Sequence, residues 1–447
     1  MGKEGFRLPR GYWNPKTELM SRKELEELQL RKLKYHLNYV WERSPFYRNK
    51  MERAGITPDD IKSLEDYYER FPLMTREEIG ETQLARPLFG QIAALPWETA
   101  MRYHQTSGTS GKPPLRTFDT PKDWSWISEM WAYALYGFGV RPYDRLMIAF
   151  GYGMFIGFWG LHYAAEKIGC MTLPSAPFDS ETRIRVIRDL KITALACTPT
   201  YALRLATTSE EMGIDLTKDT DVRIIITSGE PRPDTTKRAI ERAWGARVGD
   251  TAGMTEAGTI FTFECAEEPG GTHIIEDNFI EEVIDPETMR HTEYGQKGVR
   301  VMTSLGREGF PILRYWSNDL VIRLPHDTCP CGRGFDIYKE CIVGRYDDMR
   351  KVRGVWFMPV MIEDVVRSFP EVDEFQAILD RYKEMDRLTV KVEFKGTVPQ
   401  ERHEELRRRI GEEAKRILSF SIDVEVVPPG TLPRFEMKAK RFVDLTR

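Results

Sequence analysis

Between residues 145 and 244, short apolar runs alternate with amphipathic stretches, and few architectures tolerate that alternation. The segments RLMIAFG (145–151), CMTLPS (170–175), ITALACTP (192–199) and VRIIITSGE (222–230) read as buried strands, and 180–190 and 232–244 read as helices. A strand without a polar face needs cover on both sides, and crossover helices supply it. The pattern therefore predicts an α/β unit with a mainly parallel sheet. Such sheets bind ligands at the glycine-rich turns beyond their strand ends. The uncharged stretch LMIAFGYGMFIGFWGLHYAA (146–165) is long enough to cross a bilayer. Gly151, Gly153, Gly157 and Gly160 interrupt it, so it reads as a buried strand, a glycine turn and a packed helix.

Either side of this region the texture differs. Ser21 and Glu24 have the spacing of a capping box, and Leu30, Leu33, Leu37 and Val40 follow at helical intervals until Ser44-Pro45. After Gly344 two β-rich stretches flank one charged helix at 401–418, the pattern of a small α+β unit. A chain of 447 residues exceeds one ordinary core. The expected division is a large domain over 1–343 and a small one over 344–447. A net charge of −4 gives no reason to expect nucleic acid or an anionic membrane as partner. The start, MGKEGFRLPR, has no apolar run, and Phe6 stands where myristoylation wants Ser or Thr. Six cysteines are too few for a disulfide framework in a chain this long and fit a reducing, cytoplasmic setting.

Several short motifs carry chemistry. YHQTSGTSGKPP (103–114) is rich in donors, yet only two residues separate Gly108 from Gly111 and Pro113 follows Lys112, so it is not a Walker loop. Others are Asp250-Thr-Ala-Gly-Met-Thr-Glu256, after an expected strand, Tyr315-Trp-Ser-Asn-Asp319, Gly344-Arg-Tyr-Asp-Asp348 and Pro433-Arg-Phe-Glu-Met-Lys-Ala-Lys-Arg441. Each alone reads equally as a surface loop, a cap or a solvated turn. Cys329-Pro-Cys331 forms a knuckle that aims two sulfurs at one ion. Zinc wants four N/S ligands, and Cys265 and His273 can supply the other two, against the alternative of chance cysteines. Cys170, Cys197 and Cys341 read as buried apolar residues. Tyr152, Phe155, Phe158 and Trp159 are the candidate lining of an apolar ligand pocket, or a packed helix start.

Taken in order, these motifs resemble the adenylate-forming enzymes, and within them the phenylacetate–CoA ligase family. The resemblance extends from RSPFYRNKMERAGI (43–56) through GYGMFIGFWGLHYAAEKIG (151–169) to the C-terminal lysine motif. It implies a large domain with mixed and parallel sheets, closed by a small mobile α+β lid. It also implies activation of a small aromatic or short carboxylic acid by ATP, with passage of the acyl group to CoA. The alternatives are transfer to an amine or a carrier-protein thiol, or a non-catalytic homologue.

By the resemblance, Thr106, Ser107, Gly108, Thr109, Ser110, Gly111 and Lys112 close over the ATP phosphates. Ser228, Gly229 and Glu230 wall the adenine, with Asp250 among the nucleotide contacts. Thr255 lies beside the phosphates, and Glu256 holds Mg²⁺. Asp319 takes the ribose hydroxyls. Arg345 and Asp347 sit at the domain junction, Asp347 as hinge, and Lys438 reaches the α-phosphate. The cysteine–histidine set implies a structural zinc. The expected partners are a carboxylic acid, ATP and CoA, with a second copy of the chain as a candidate. Three positions depart from the family pattern: Ala252 replaces an adenine-stacking tyrosine, Trp316-Ser317-Asn318 replaces Arg-Thr-Gly, and Met437 replaces a glycine. Trp316 is a candidate for the missing aromatic surface, or a core tryptophan.

Overall fold

The computed structural model describes residues 10–446, apart from 107–112, 231, 268, 353–354, 384 and 436–439. A hairpin, β1 (Arg102–Gln105) and β2 (Arg116–Asp119), precedes the main sheet, with Gln105 opposite Arg116. The four apolar runs form β3 (Arg145–Ile148), β4 (Met171–Pro174), β5 (Ala194–Cys197) and β6 (Ile224–Thr227). With β7 (Arg247–Met254) they make a parallel array in the order β4-β3-β5-β6-β7. β4, expected to be buried, is instead the edge strand, and Met171 is 53% exposed because the sheet ends there. Residues 250–254, expected to follow a strand, lie within β7 itself.

Period-two alternation divides the side chains of this array between two cores. Leu146, Ile148, Ala194, Ala196, Ile224 and Ile226 enter the larger core. Met147, Ala149, Leu195, Cys197 and Ile225 enter the other, under helices Ser180–Asp189, Pro199–Glu211 and Asp234–Trp244. Helices Pro121–Gly137 and Gly157–Ile168 cover the first face. The uncharged stretch at 146–165 is thus a strand, a turn and a packed helix, and no helix of the described residues is long and apolar enough to cross a membrane.

Beyond β7 the sheet turns antiparallel. β8 (Thr259–Phe263), β9 (Gly271–Ile274), β10 (Phe279–Ile284), β11 (Lys297–Ser304), β12 (Tyr315–Leu324) and β13 (Ile337–Lys339) continue it as β7-β8-β9-β13-β12-β11-β10. A short strand, β14 (Gly344–Arg345), pairs with β12 and sets Arg345 opposite Asp319. Near the start of the chain, helix Arg22–Arg43 carries the expected capping box. Ser21 N donates to Glu24 Oε2 at 2.9 Å, and Leu33, Leu37 and Val40 are buried.

Past β14 come a hairpin, β15 (Arg350–Val352) with β16 (Val355–Phe357), and a four-stranded sheet. Its strands β17 (Val372–Tyr382), β18 (Met385–Phe394), β19 (Asp423–Val426) and β20 (Phe442–Asp444) lie in the order β19-β18-β17-β20. They share a core of their own with helix His403–Leu418. The sequence pattern predicts one helix in this unit, but Pro359–Arg367 is a second. It is short, starts at a proline and buries Ile362, Val365 and Val366, so its apolar residues are too few for the period to stand out.

Candidate active site and a cysteine–histidine cluster

The C-terminal ends of the parallel strands surround a cavity of about 190 Å³. The turn after β3 brings Phe155, and the first helical residues beyond it bring Phe158. Ser228, Gly229 and Glu230 come from the end of β6, residues 250–254 from β7, Asp319 from β12 and Arg345 from β14. The Phe158 ring packs at a tilt against Phe150, at 4.4 Å between centroids, and against Trp131 at 6.1 Å. Helix Gly157–Ile168 comes this close to Trp131 because residue 160 is glycine: a Cβ there would stand 2.4 Å from Trp131 Cδ1.

Two of the four rings expected to line a ligand pocket, Phe155 and Phe158, line this cavity, together with Trp131. Tyr152 and Trp159 do not. They pack edge to face at 4.7 Å, the Tyr152 hydroxyl meets His162 Nδ1 at 2.9 Å, and the Arg102 guanidinium lies 4.9 Å from the Trp159 ring. Neighbouring residues 158 and 159 project about 100° apart on the helix, so Phe158 can face the cavity while Trp159 packs against Tyr152.

The polar end of the cavity is held by ion pairs. Asp319 accepts from Arg345 Nη1 at 3.3 Å and lies 3.6 Å from Arg300 Nη1. Burial pushes its carboxyl above the usual range, against the pull of both guanidiniums. Arg345 in turn grips Asp347 through two bonds of 2.9 Å. Asp250 accepts from the Thr251 N–H at 3.0 Å and faces Arg232 at 3.4 Å, with burial again raising its pKa. Ser228 Oγ donates to the Thr251 carbonyl at 3.1 Å, and Glu230 Oε2 accepts from the Thr200 N–H at 3.2 Å.

Thr255 and Glu256 form the turn after β7. Glu256 Oε1 accepts from the Tyr315 hydroxyl at 3.2 Å, and its carbonyl accepts from Arg307 Nη1 at 2.8 Å. Arg307, wholly buried, also binds Asp119 of β2 at 2.7 Å, so one side chain ties this turn to the hairpin. Thr106 closes the base of the hairpin loop, its N–H donating to the Leu115 carbonyl and its Oγ1 accepting from the Leu115 N–H, both at 2.9 Å. Ser107, Gly108, Thr109, Ser110, Gly111, Lys112 and Lys438 lie outside the described residues. Trp316 lies off the cavity. Its Nε1 donates to Asn318 at 2.9 Å and its ring joins Leu320 and Met358 in a small apolar patch, so it is a packing tryptophan rather than a wall. Arg307 and Trp131 stand in stretches without a motif, and Tyr315 opens the Asp319 motif with no role expected of it there.

A second constellation lies apart from the cavity. Cys265, His273, Cys329 and Cys331 bring their ligand atoms within 4.8 Å of one another. The Cys265 and Cys329 sulfurs are 3.6 Å apart, and Cys331 Sγ is 3.4 Å from His273 Nε2. Around a tetrahedral zinc, Zn–S bonds of about 2.3 Å put two sulfurs about 3.8 Å apart, and a sulfur and an imidazole nitrogen about 3.5 Å apart. His273 Nδ1 meets the Phe335 carbonyl at 3.2 Å, which makes Nδ1 the donor and leaves the Nε2 lone pair facing the sulfurs. The donor set thus fits a closed metal site. The other three thiols, Cys170, Cys197 and Cys341, are buried, and burial pushes each above the usual thiol range, Cys170 to about 12.

Comparison with known proteins agrees with this geometry. A family model described as AMP-binding enzyme matches residues 77–303, and one described as AMP-binding enzyme C-terminal domain matches 354–446. A phenylacetate-coenzyme A ligase of Thermus thermophilus is 33% identical, over 97% of this chain and 100% of the relative. Among solved structures, 2-hydroxyisobutyryl-CoA ligase in the postadenylation state, in complex with 2-HIB-AMP, superposes with a TM-score of 0.92 at 30% identity, covering 99% of this chain and 94% of that one. The same ligase with 2-HIB-AMP and CoA in the thioesterification state gives 0.73, also at 30% identity and the same coverage. The chain belongs to the phenylacetate–coenzyme A ligase family of AMP-binding enzymes, AMP-forming acid–CoA ligases.

Proposed function

We propose that this chain joins a small aromatic or short apolar carboxylic acid to CoA through an acyl-adenylate, with the acid seated among Phe155, Phe158 and Trp131. One observation carries this reading: the aromatic cavity opens directly onto Asp319, Asp250 and Ser228, so an apolar acid and a polar nucleotide can share one site. The carboxylate attacks the α-phosphorus of ATP, and a new P–O bond forms as the bond to pyrophosphate breaks. The CoA thiol, losing its proton, then attacks the acyl carbon and AMP departs.

In this scheme the Asp319 carboxylate, steadied by Arg345 and Arg300, takes both ribose hydroxyls. Ser228, Gly229 and Glu230 wall the base, with Asp250 behind them. Thr106 and residues 107–112 surround the β- and γ-phosphates with donors, Thr255 stands beside them, and Glu256, one oxygen fixed by Tyr315, holds Mg²⁺. The metal, when bound, offsets phosphate charge. Lys438 brings a cation to the α-phosphate oxygens. The chain divides into domains at 1–343 and 344–447, and the second turns about Asp347 between half-reactions. Zinc held by Cys265, His273, Cys329 and Cys331 is structural, since four protein ligands leave no open position. Six cysteines with no disulfide among them suit a reducing cytoplasm.

The test is pyrophosphate exchange and AMP release across a panel from acetate to naphthylacetate, followed by thioester analysis with CoA. Lys438→Ala should slow exchange by about 10²–10⁴, by analogy with other lost transition-state donors. It should spare thioester formation from supplied acyl-adenylate. Asp347→Pro should do the reverse, because a locked φ hinders rotation. Absence of exchange with every acid on the panel would sink the reading.

A further inference from the structure

A buried polar bridge joins the C-terminal unit to the large one. Arg441 stands immediately before β20, three positions beyond Lys438. Glu374 of β17 holds its guanidinium by two bonds, Nε to Oε1 at 2.7 Å and Nη2 to Oε2 at 3.1 Å. A planar fork fixed along one edge has its remaining nitrogen aimed in advance. That nitrogen, Nη1, donates to Thr200 Oγ1 at 3.1 Å, across 241 positions of sequence, and lies 3.5 Å from Glu363 Oε1. Both ends are buried, Arg441 at 7% exposure and Thr200 at 8%.

Thr200 stands in the first turn of helix Pro199–Glu211, and its N–H donates to Glu230 Oε2 at 3.2 Å. Glu230 lines the cavity. The chain of contacts therefore runs from the C-terminal segment, through one threonine, to the cavity wall. The present arrangement also superposes better on the postadenylation ligase (TM-score 0.92) than on its thioesterification state (0.73).

We propose that Arg441 is a positioning residue for adenylation. Its bond to Thr200 holds the C-terminal unit against the helix that abuts the cavity wall during the first half-reaction and is broken when that unit turns for the second. The proposal rests on the acid–CoA ligase reading given above. A hydrogen bond to a charged group is worth roughly a ten- to hundredfold factor. Both Arg441 contacts within its own unit, Glu374 and Glu363, stay when Thr200 changes, so the sensitive substitution lies on the large-domain side.

The experiment measures pyrophosphate exchange, and thioester formation from supplied acyl-adenylate, for wild type, Thr200→Val and Thr200→Ser, with the acid of the panel that exchanges fastest. Thr200→Val, of equal shape but without the hydroxyl, should slow exchange about tenfold and leave thioester formation at least as fast as in wild type. Thr200→Ser, which restores the acceptor, should recover exchange. Wild-type exchange in Thr200→Val overturns the proposal, and so does equal loss in both half-reactions, which marks damage to the cavity wall. In either case wild-type exchange keeps the ligase reading intact; a wild type that exchanges with no acid removes both.

Discussion

Substituting Cys331 by alanine breaks the proposed zinc site at its most exposed ligand, and the structure sets the expected size of the effect. The knuckle anchors the N-terminal segment: the Tyr12 hydroxyl donates to the Cys331 carbonyl at 2.5 Å, and Arg333 donates to Glu18 at 2.6 Å and to the Gly11 carbonyl at 2.7 Å. The Arg333 and Glu18 side chains are almost wholly buried, at 2% and 0% exposure. Breaking such a buried pair costs about 3–5 kcal/mol, and metal release removes the order that holds it. Zinc-finger peptides draw about 10–16 kcal/mol from their metal, but this unit has a large apolar core besides, so the loss of the anchored segment sets the scale. The melting transition of the large unit should fall by about 5–10 °C, and chelation of the wild type should lower it by the same amount. Protease should then cut first within residues 10–22. Adenylation at a permissive temperature should persist, because none of the four ligands lines the cavity. Chelator-free wild type without stoichiometric zinc, or Cys331→Ala melting with wild type, would refute the reasoning.

Two further outcomes follow from the cavity and its surroundings. Phe158, 3% exposed, should cost about 3–5 kcal/mol on truncation to alanine, and kcat/KM for a naphthyl acid relative to a phenyl one should rise about tenfold; Trp159→Gly, off the lining, should leave that ratio alone, and the reverse pattern would relocate the pocket. His104, which meets the Met154 carbonyl at 3.3 Å, is pushed down to about 4 by burial, with Arg307 and Arg102 adding to the shift. A histidine depressed from about 6.5 in the unfolded chain contributes stability present above that pH and lost as pH falls towards 4, about 3 kcal/mol in all. His104→Gln should flatten the pH dependence of unfolding between pH 4 and 6.5, and an unchanged slope would assign that dependence to other groups.

Local sequence carried the α/β class, the buried strands β3, β5 and β6, the capped helix Arg22–Arg43 and the four members of the cysteine–histidine set. Each rests on local chemistry: a period of two or 3.6, a capping hydroxyl, a thiol that needs a partner. Tertiary structure decided what depends on direction across long separations. Residues 158 and 159 are neighbours in sequence yet face different ways, so Phe158 reaches the cavity with distant Trp131 while Trp159 turns to Tyr152 and Arg102. Asp319 meets Arg345 because a strand pairing places them opposite each other. Arg307 joins Glu256 to Asp119 from a stretch with no motif of its own. Arg441, the last residue of a short motif, is buried and reaches Thr200, because only docking of the C-terminal unit brings together residues 241 positions apart. Periodicity records which face of an element is apolar. Which partner covers that face, and which polar atom ends beside which, is set by the packing of whole elements, and no short window of sequence contains it.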